Sequence, residues 1–266
     1  MIRFFEFSMA AAGMVIATLV ATSVQSLGQD VCGDPNMVKV GASCVDKYEA
    51  SVWSSPTGGT EFGVGSKDYP CADNGNDCSD PSKPTKMIFA RSLPGLIPSS
   101  FITWFQAQQA CANVGKRLLR NGEWQMAAAG TPDPGTDNGV TDCNIRSART
   151  VVPTGSRSNC VSNFGVFDMV GNLNEWIEDW FEGNGVPFRP CMTAGATVCT
   201  AGTDYGQDTM WGVNPATEQG PNSKNFPAAL VRGNNFQKGT LAGVFSFDAA
   251  NAPSTHSLSR GFRCGR

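Results

Sequence analysis

The chain has 266 residues, 41% of them hydrophobic, which is enough to bury a core, and a formal charge of -3 with no basic stripe, which argues against nucleic acid as a partner. With 30 Gly and 16 Pro, and helical periodicity confined to a few short windows, the composition points to one loop-rich domain.

Residues 1–26 begin with a positive charge at Arg3, continue through an apolar run from Met9 to Val20, and end in small or polar residues. This order predicts a secretory signal peptide cut between Ser23 and Gln29, followed by a single domain over 27–266. A retained anchor is the alternative, but Met9 to Val20 is short for a bilayer, so no membrane span is expected after cleavage. The predicted location is secreted or periplasmic. Ten cysteines follow, an even number that suits an oxidising compartment. Their spacing suggests local staples at Cys32–Cys44, Cys71–Cys78, Cys143–Cys160 and Cys191–Cys199, which leaves Cys111 and Cys264. Spacing alone does not fix the connectivity. No C-x-x-C pair occurs, which weakens a zinc reading.

Met37 to Trp53 carries Val, Tyr and Trp in short alternating groups and predicts one or two strands. Ser54 to Pro84, rich in Gly, Ser, Pro and Asp, predicts an irregular excursion. Thr103 to Gln106 fits a capping box that starts a helix, on which Trp104, Ala107, Cys111 and Val114 share one face and Gly115 is the stop. A second short helix is predicted from Gly122 to Ala129, capped by Asn121. Glu182 to Asn225 is a long polar excursion. Strand-like pieces return at Ala229 to Arg232, Gly243 to Phe247 and Gly261 to Cys264.

Eight landmarks occur in order, among them Asp46-Lys47-Tyr48-Glu49, Gly115-Lys116-Arg117-Leu118, Glu123-Trp124, Phe164 to Trp180 (FGVFDMVGNLNEWIEDW), Val231-Arg232-Gly233 and Gly261-Phe262-Arg263-Cys264. Together they resemble the formylglycine-generating, or sulfatase-modifying factor, family over roughly residues 40–266. The resemblance implies an α+β, C-type-lectin-like fold, loop-rich and stapled by disulfides, with Cys111 bonded to Cys264. A loop of that length stabilises by about 4–5 kcal/mol in the chain-entropy model.

The resemblance also implies a calcium loop whose ligands are the Asp168 side chain, the Gly171 and Leu173 carbonyls and the Glu175 side chain, hard oxygens of the kind Ca2+ prefers. The alternative is a structural turn whose carboxylates cap backbone amides. A second family calcium site begins at a pair like Asn144-Ile145, but its later acidic ligand has no counterpart before Val151.

Active members of the family bind copper and oxidise a substrate cysteine with two cysteines that follow an Arg-Gly-Gly-type turn. Here the turn is Arg232-Gly233-Asn234-Asn235-Phe236, and Lys238 and Gly243 stand at the two thiol positions. Neither is a soft thiolate ligand, so copper and iron are not expected and no catalytic residue is assigned. His256, the single histidine, sits in a polar loop without a nucleophile elbow and is expected to be exposed.

The leading expectation is therefore a calcium-stabilised, non-catalytic binding module for a protein, peptide or glycan ligand. Its candidate surface is Asn234, Asn235, Phe236 and Lys238, with Trp211 and His256. This segment also resembles the variable regions of lectin-like proteins diversified by retroelements. A metal-dependent oxidoreductase acting in the maturation of a secreted protein or metabolite, and a structural component of an extracellular assembly, are the competing readings.

Overall fold

A computed structural model describes residues 31–133, 135–181, 198–200, 209–211 and 228–266. The predicted signal peptide and Cys191 of the fourth local staple lie outside these residues. So does most of the polar excursion after Glu182.

The chain enters through a hairpin of β1 (Met37–Val40) and β2 (Ser43–Asp46), then β3 (Ala50–Ser55), β4 (Gly58–Phe62) and β5 (Phe89–Ser92). Three strands thus occupy the stretch where one or two were expected. β4 also lies in the predicted excursion, because Gly58 to Phe62 folds back and pairs with β3, placing Trp53 opposite Glu61. Helix α1 (Trp104–Ala112), β6 (Arg117–Leu118) and helix α2 (Asn121–Ala127) follow. Then come β7 (Asn174–Phe181), β8 (Val198–Thr200), β9 (Thr209–Trp211), β10 (Ala228–Arg232), β11 (Phe247–Asn251), β12 (Arg260–Phe262) and β13 (Cys264–Gly265). Among the described residues they form three sheets, in the orders β4-β3-β5, β1-β2-β13-β6 and β12-β7-β10-β11-β9-β8.

The capping box of α1 forms as predicted: Gln106 N donates to Thr103 Oγ1 at 3.2 Å, and Thr103 N donates to Gln106 Oε1 at 3.1 Å. Ala107 and Cys111 on its inner face are fully buried. The cap of α2 differs from expectation. Arg120 is the capping residue, and Asn121 is the first helical one. The carboxylates of Glu123 and Asp179 accept the amides of Arg120 and Asn121 at 2.9 and 2.6 Å, the charge a helix N-terminus favours. The strand expected at Gly243 to Phe247 begins only at Phe247, since Ser246 N turns back onto Gly243 O at 3.0 Å.

Strand alternation divides the core. On β7, Trp176 faces one apolar cluster and Ile177 the other; on β10, Ala229 and Val231 join Trp176, whereas Leu230 joins Ile177. The central sheet is therefore packed on both faces. Disulfides Cys32–Cys44, Cys71–Cys78 and Cys143–Cys160 staple local loops. Cys111–Cys264 spans 153 residues and fastens β13 to α1. None of the described helices is long and apolar enough to cross a membrane.

Candidate functional site

The loop from Asp168 to Glu175 folds on itself through left-handed backbone at Asp168, Gly171 and Asn172. Gly171 is required twice over, by its φ of +79° and because a Cβ there would sit 2.4 Å from the Asn144 carbonyl oxygen. The buried Glu49 carboxylate accepts Leu173 N at 2.9 Å and Asn172 Nδ2 at 2.5 Å, and Asn172 Oδ1 accepts Val152 N at 3.0 Å. The loop is thereby tied to three distant segments.

Glu175 and Arg263 form a buried ion pair at its end. Arg263 Nε lies 2.9 and 2.8 Å from the two carboxylate oxygens, Nη2 lies 2.5 Å from Oε1, and Trp124 Nε1 donates to Oε2 at 2.7 Å. The remaining guanidinium hydrogens reach the carbonyls of Asp46, Lys47 and Phe167. Burial alone would lower the Arg263 pKa, but the charge and hydrogen bonds of Glu175, together with the charges of Glu49 and Asp168, outweigh it and the pKa is raised. The neighbouring carboxyls go the other way. Burial, followed by the charges of Asp168 and Glu175, pushes Glu49 well above the carboxylate range. Burial pushes Asp168 up to about 6, against the Gly155 amide that donates to its Oδ2 at 2.8 Å.

Of the expected calcium ligands, Asp168 offers a buried Oδ1 with no hydrogen-bond partner, an orphaned acceptor that suits a cation. Glu175 is already committed to Arg263 and Trp124. The structure gathers no group of three or more His, Cys, Asp or Glu side chains for a metal among the described residues. At the second position, Asn144 donates to Thr150 O and Asn172 Oδ1. Asp137 accepts the amides of Ile145, Arg146 and Ser147. It therefore works as a loop anchor.

The calcium loop candidate supports the next site directly. Gly171 N donates to Gly233 O at 3.1 Å, and Phe236 N donates to Asn172 O at 3.1 Å. Arg232, at the end of β10, stacks on the Trp124 ring at 4.4 Å and donates to the Ser246 and Val244 carbonyls. Gly233, at φ +79°, passes close under Met169, whose carbonyl oxygen would stand 2.9 Å from an added Cβ. The chain then turns through Asn234, also left-handed, whose Nδ2 donates to Leu241 O at 3.1 Å. Lys238 N closes onto Asn235 O at 3.1 Å.

Asn234, Asn235 and Lys238 come together on a cavity of about 270 Å³ with Asn174, Asp248 and Arg260. Lys238 also borders an open groove of about 710 Å³ shared with Thr136, Arg146 and Ser147. Phe236 does not belong to this surface. It is 1% exposed, turned into the interior by the bond from its amide to Asn172, so the expectation that it contacts ligand is corrected. His256 is exposed on the loop before β12, outside the cavity lining. The side chain of Trp211 lies outside what the structure describes. Lys238 and Gly243 bring no thiolate to the family's copper positions, and Cys264 is bonded to Cys111, so this donor set does not fit copper.

Sequence reading missed Arg260, which enters the chain as the residue before Gly261-Phe262-Arg263-Cys264. It is 8% exposed, its guanidinium lies 4.6 Å over the Trp176 ring, and it lines the cavity. Period-two alternation in a known strand would have placed it; a three-residue strand gives too little pattern for that.

A model of the sulfatase-modifying factor enzyme 1-like domain matches residues 74–266. Curated relatives include the serine/threonine-protein kinases pkn1 of Chlamydia caviae and Pkn1 of Chlamydia trachomatis, each 33% identical over 85 residues. Those matches cover 30% of this chain and 13% of each relative, so the matched part spans only a small share of those proteins. Among solved structures, the Major Tropism Determinant M1 and I1 variants superpose with a TM-score of 0.50 at 19% identity, over 88% and 87% of this chain and 53% and 52% of theirs. They share its fold, an α+β architecture of the C-type-lectin-like kind.

Proposed function

The chain belongs to the sulfatase-modifying factor enzyme 1-like family, and from that premise we propose that it is a non-catalytic binding module, secreted or periplasmic, that uses the family's groove to hold a ligand. The observation that carries this reading is the exchange at the groove. Lys238 and Gly243 replace the two thiols, and Lys238 instead borders a polar cavity beside two asparagines. Loops held rigid by disulfides and by a buried ion pair suit recognition, since little order has to be gained on binding. The disulfides also agree with an oxidising compartment.

Calcium belongs to the same proposal. Glu49, Asp168 and Glu175 place three carboxyls around Arg263, and Asp168 Oδ1 has no partner, so a cation at Asp168 and the Gly171 and Leu173 carbonyls would relieve surplus negative charge. Because Arg263 already neutralises Glu175, such a site binds weakly and its loss loosens the loop without unfolding the domain.

The test is a glycan and peptide array probed with the wild type and with Lys238→Ala, with and without chelator. Retention that falls about tenfold or more in Lys238→Ala, and partly under chelator, supports the module. Oxygen consumption on thiol peptides, or retention indifferent to Lys238, overturns it.

A further inference from the structure

Among the described residues Arg260 is a buried cation with no carboxylate in direct contact; the nearest opposite charge acting on it is that of Asp248, across the cavity wall. Its Nη1 donates to Thr255 Oγ1 at 2.9 Å and its Nη2 to Asn251 Oδ1 at 2.5 Å, both neutral acceptors, and its Nε has no partner at all. Asn251 Nδ2 beside it is equally unpartnered. Burial lowers the Arg260 pKa to about 10, the opposite of the raised Arg263 three residues on. A guanidinium closed off in this way is costly unless a counter-charge approaches it. The open side of Arg260 is the wall of the 270 Å³ cavity.

The rest of that wall restricts what the counter-charge belongs to. Asn174, Asn235, Gln237, Ser246, Ser259 and Phe247 line it, so residues with amide or hydroxyl side chains outnumber apolar ones. Amides and hydroxyls donate and accept alike, which matches a ring bearing several hydroxyls. The volume is just under the roughly 300 Å³ at which ligand pockets begin, so it holds one ring. Among the described lining residues Arg260 and Lys238 carry positive charge and Asp248 negative, a mixed lining that suits a single carboxylate, whereas a phosphomonoester carries about -1.5 to -2 and would meet Asp248 unfavourably.

We infer that this cavity binds a hexuronate, the carboxylate facing Arg260 and the hydroxyls meeting the amides, an assignment that rests on the binding-module reading and names its ligand class. The guanidinium acts as a counter-charge across the cavity wall and does not need an open Nε–H.

Isothermal titration of the purified chain with D-glucuronate, D-glucose, acetate and glucose 6-phosphate tests it. Glucuronate is expected to bind about tenfold or more tighter than glucose and than acetate. Arg260→Gln should remove that preference, and Arg260→Lys should keep part of it, a pattern that a purely structural arginine would not produce. Should Arg260→Gln fail to fold, Lys238→Met gives the same comparison from the rim of the cavity. Equal affinity for glucuronate and glucose, acetate binding as well as glucuronate, or tighter binding of the phosphate overturns the assignment. A peptide captured on the array through Lys238, with glucuronate ignored, would sink the hexuronate and leave the binding module standing.

Discussion

Arg260 and Arg263 are three residues apart on one stretch of chain, both buried, and their surroundings are opposite. Arg263 has a carboxylate held on two sides and three backbone carbonyls, so every face of its guanidinium is met by protein. Arg260 has two neutral acceptors, a tryptophan face and an unpartnered Nε, beside an open cavity. The first arginine completes the scaffold. The second meets only the charge of Asp248 across the cavity, which is why the proposed ligand carboxylate is placed against it, and the contrast separates what holds this fold together from what the proposal assigns to binding.

The largest effect expected from breaking that contrast is at Arg263. Arg263→Met leaves Glu175 buried without its partner and should cost about 3–5 kcal/mol in chemical denaturation, enough to unfold a marginal domain. Arg260→Gln removes two neutral hydrogen bonds and a cation–π contact but also a desolvated charge, so its cost should be about 1 kcal/mol. Equal costs would erase the distinction between the two sites. A pH-dependent effect sharpens it on the scaffold side. Asp46 accepts Lys116 Nζ at 2.7 Å, yet burial raises its pKa to about 6, and its Oδ2 has no partner. The folded state keeps this proton to higher pH than the unfolded chain, so the Asp46 contribution to stability falls as pH rises from about 4 to about 6. Asp46→Asn should make the slope shallower, leaving the part that the raised pKa values of Asp168 and Glu49 contribute, and match or exceed the wild type in stability at pH 7, read from denaturation midpoints across the range.

How much of this was legible in the sequence follows the same division. The capping box at Thr103 and the three local disulfides with both cysteines described were readable because each is a local pattern of fixed spacing. The Cys111–Cys264 bond came from the residual pair and from the family resemblance. The Arg263–Glu175 pair was not visible: 88 residues separate the partners, and no local period links them. Glu175 read as a calcium ligand because a carboxylate in that loop fits the pattern, while its arginine comes from the end of the chain. Phe236 read as a surface aromatic for a similar reason, since only the bond of its amide to Asn172 reveals that it turns inward. Asn234, Asn235 and Lys238 could be grouped from sequence because one turn carries them as neighbours, whereas Arg260 reaches the same cavity from a different strand.

The most direct test follows the two arginines at once. Both Nε–H groups are buried, so each should give a protected resonance in a 1H–15N spectrum, assigned by its loss in Arg260→Lys or by elimination. With D-glucuronate added, the Arg260 resonance should shift in a saturable way while that of Arg263 stays in place. A titration that leaves Arg260 unmoved, or that moves Arg263 as much, would contradict the account.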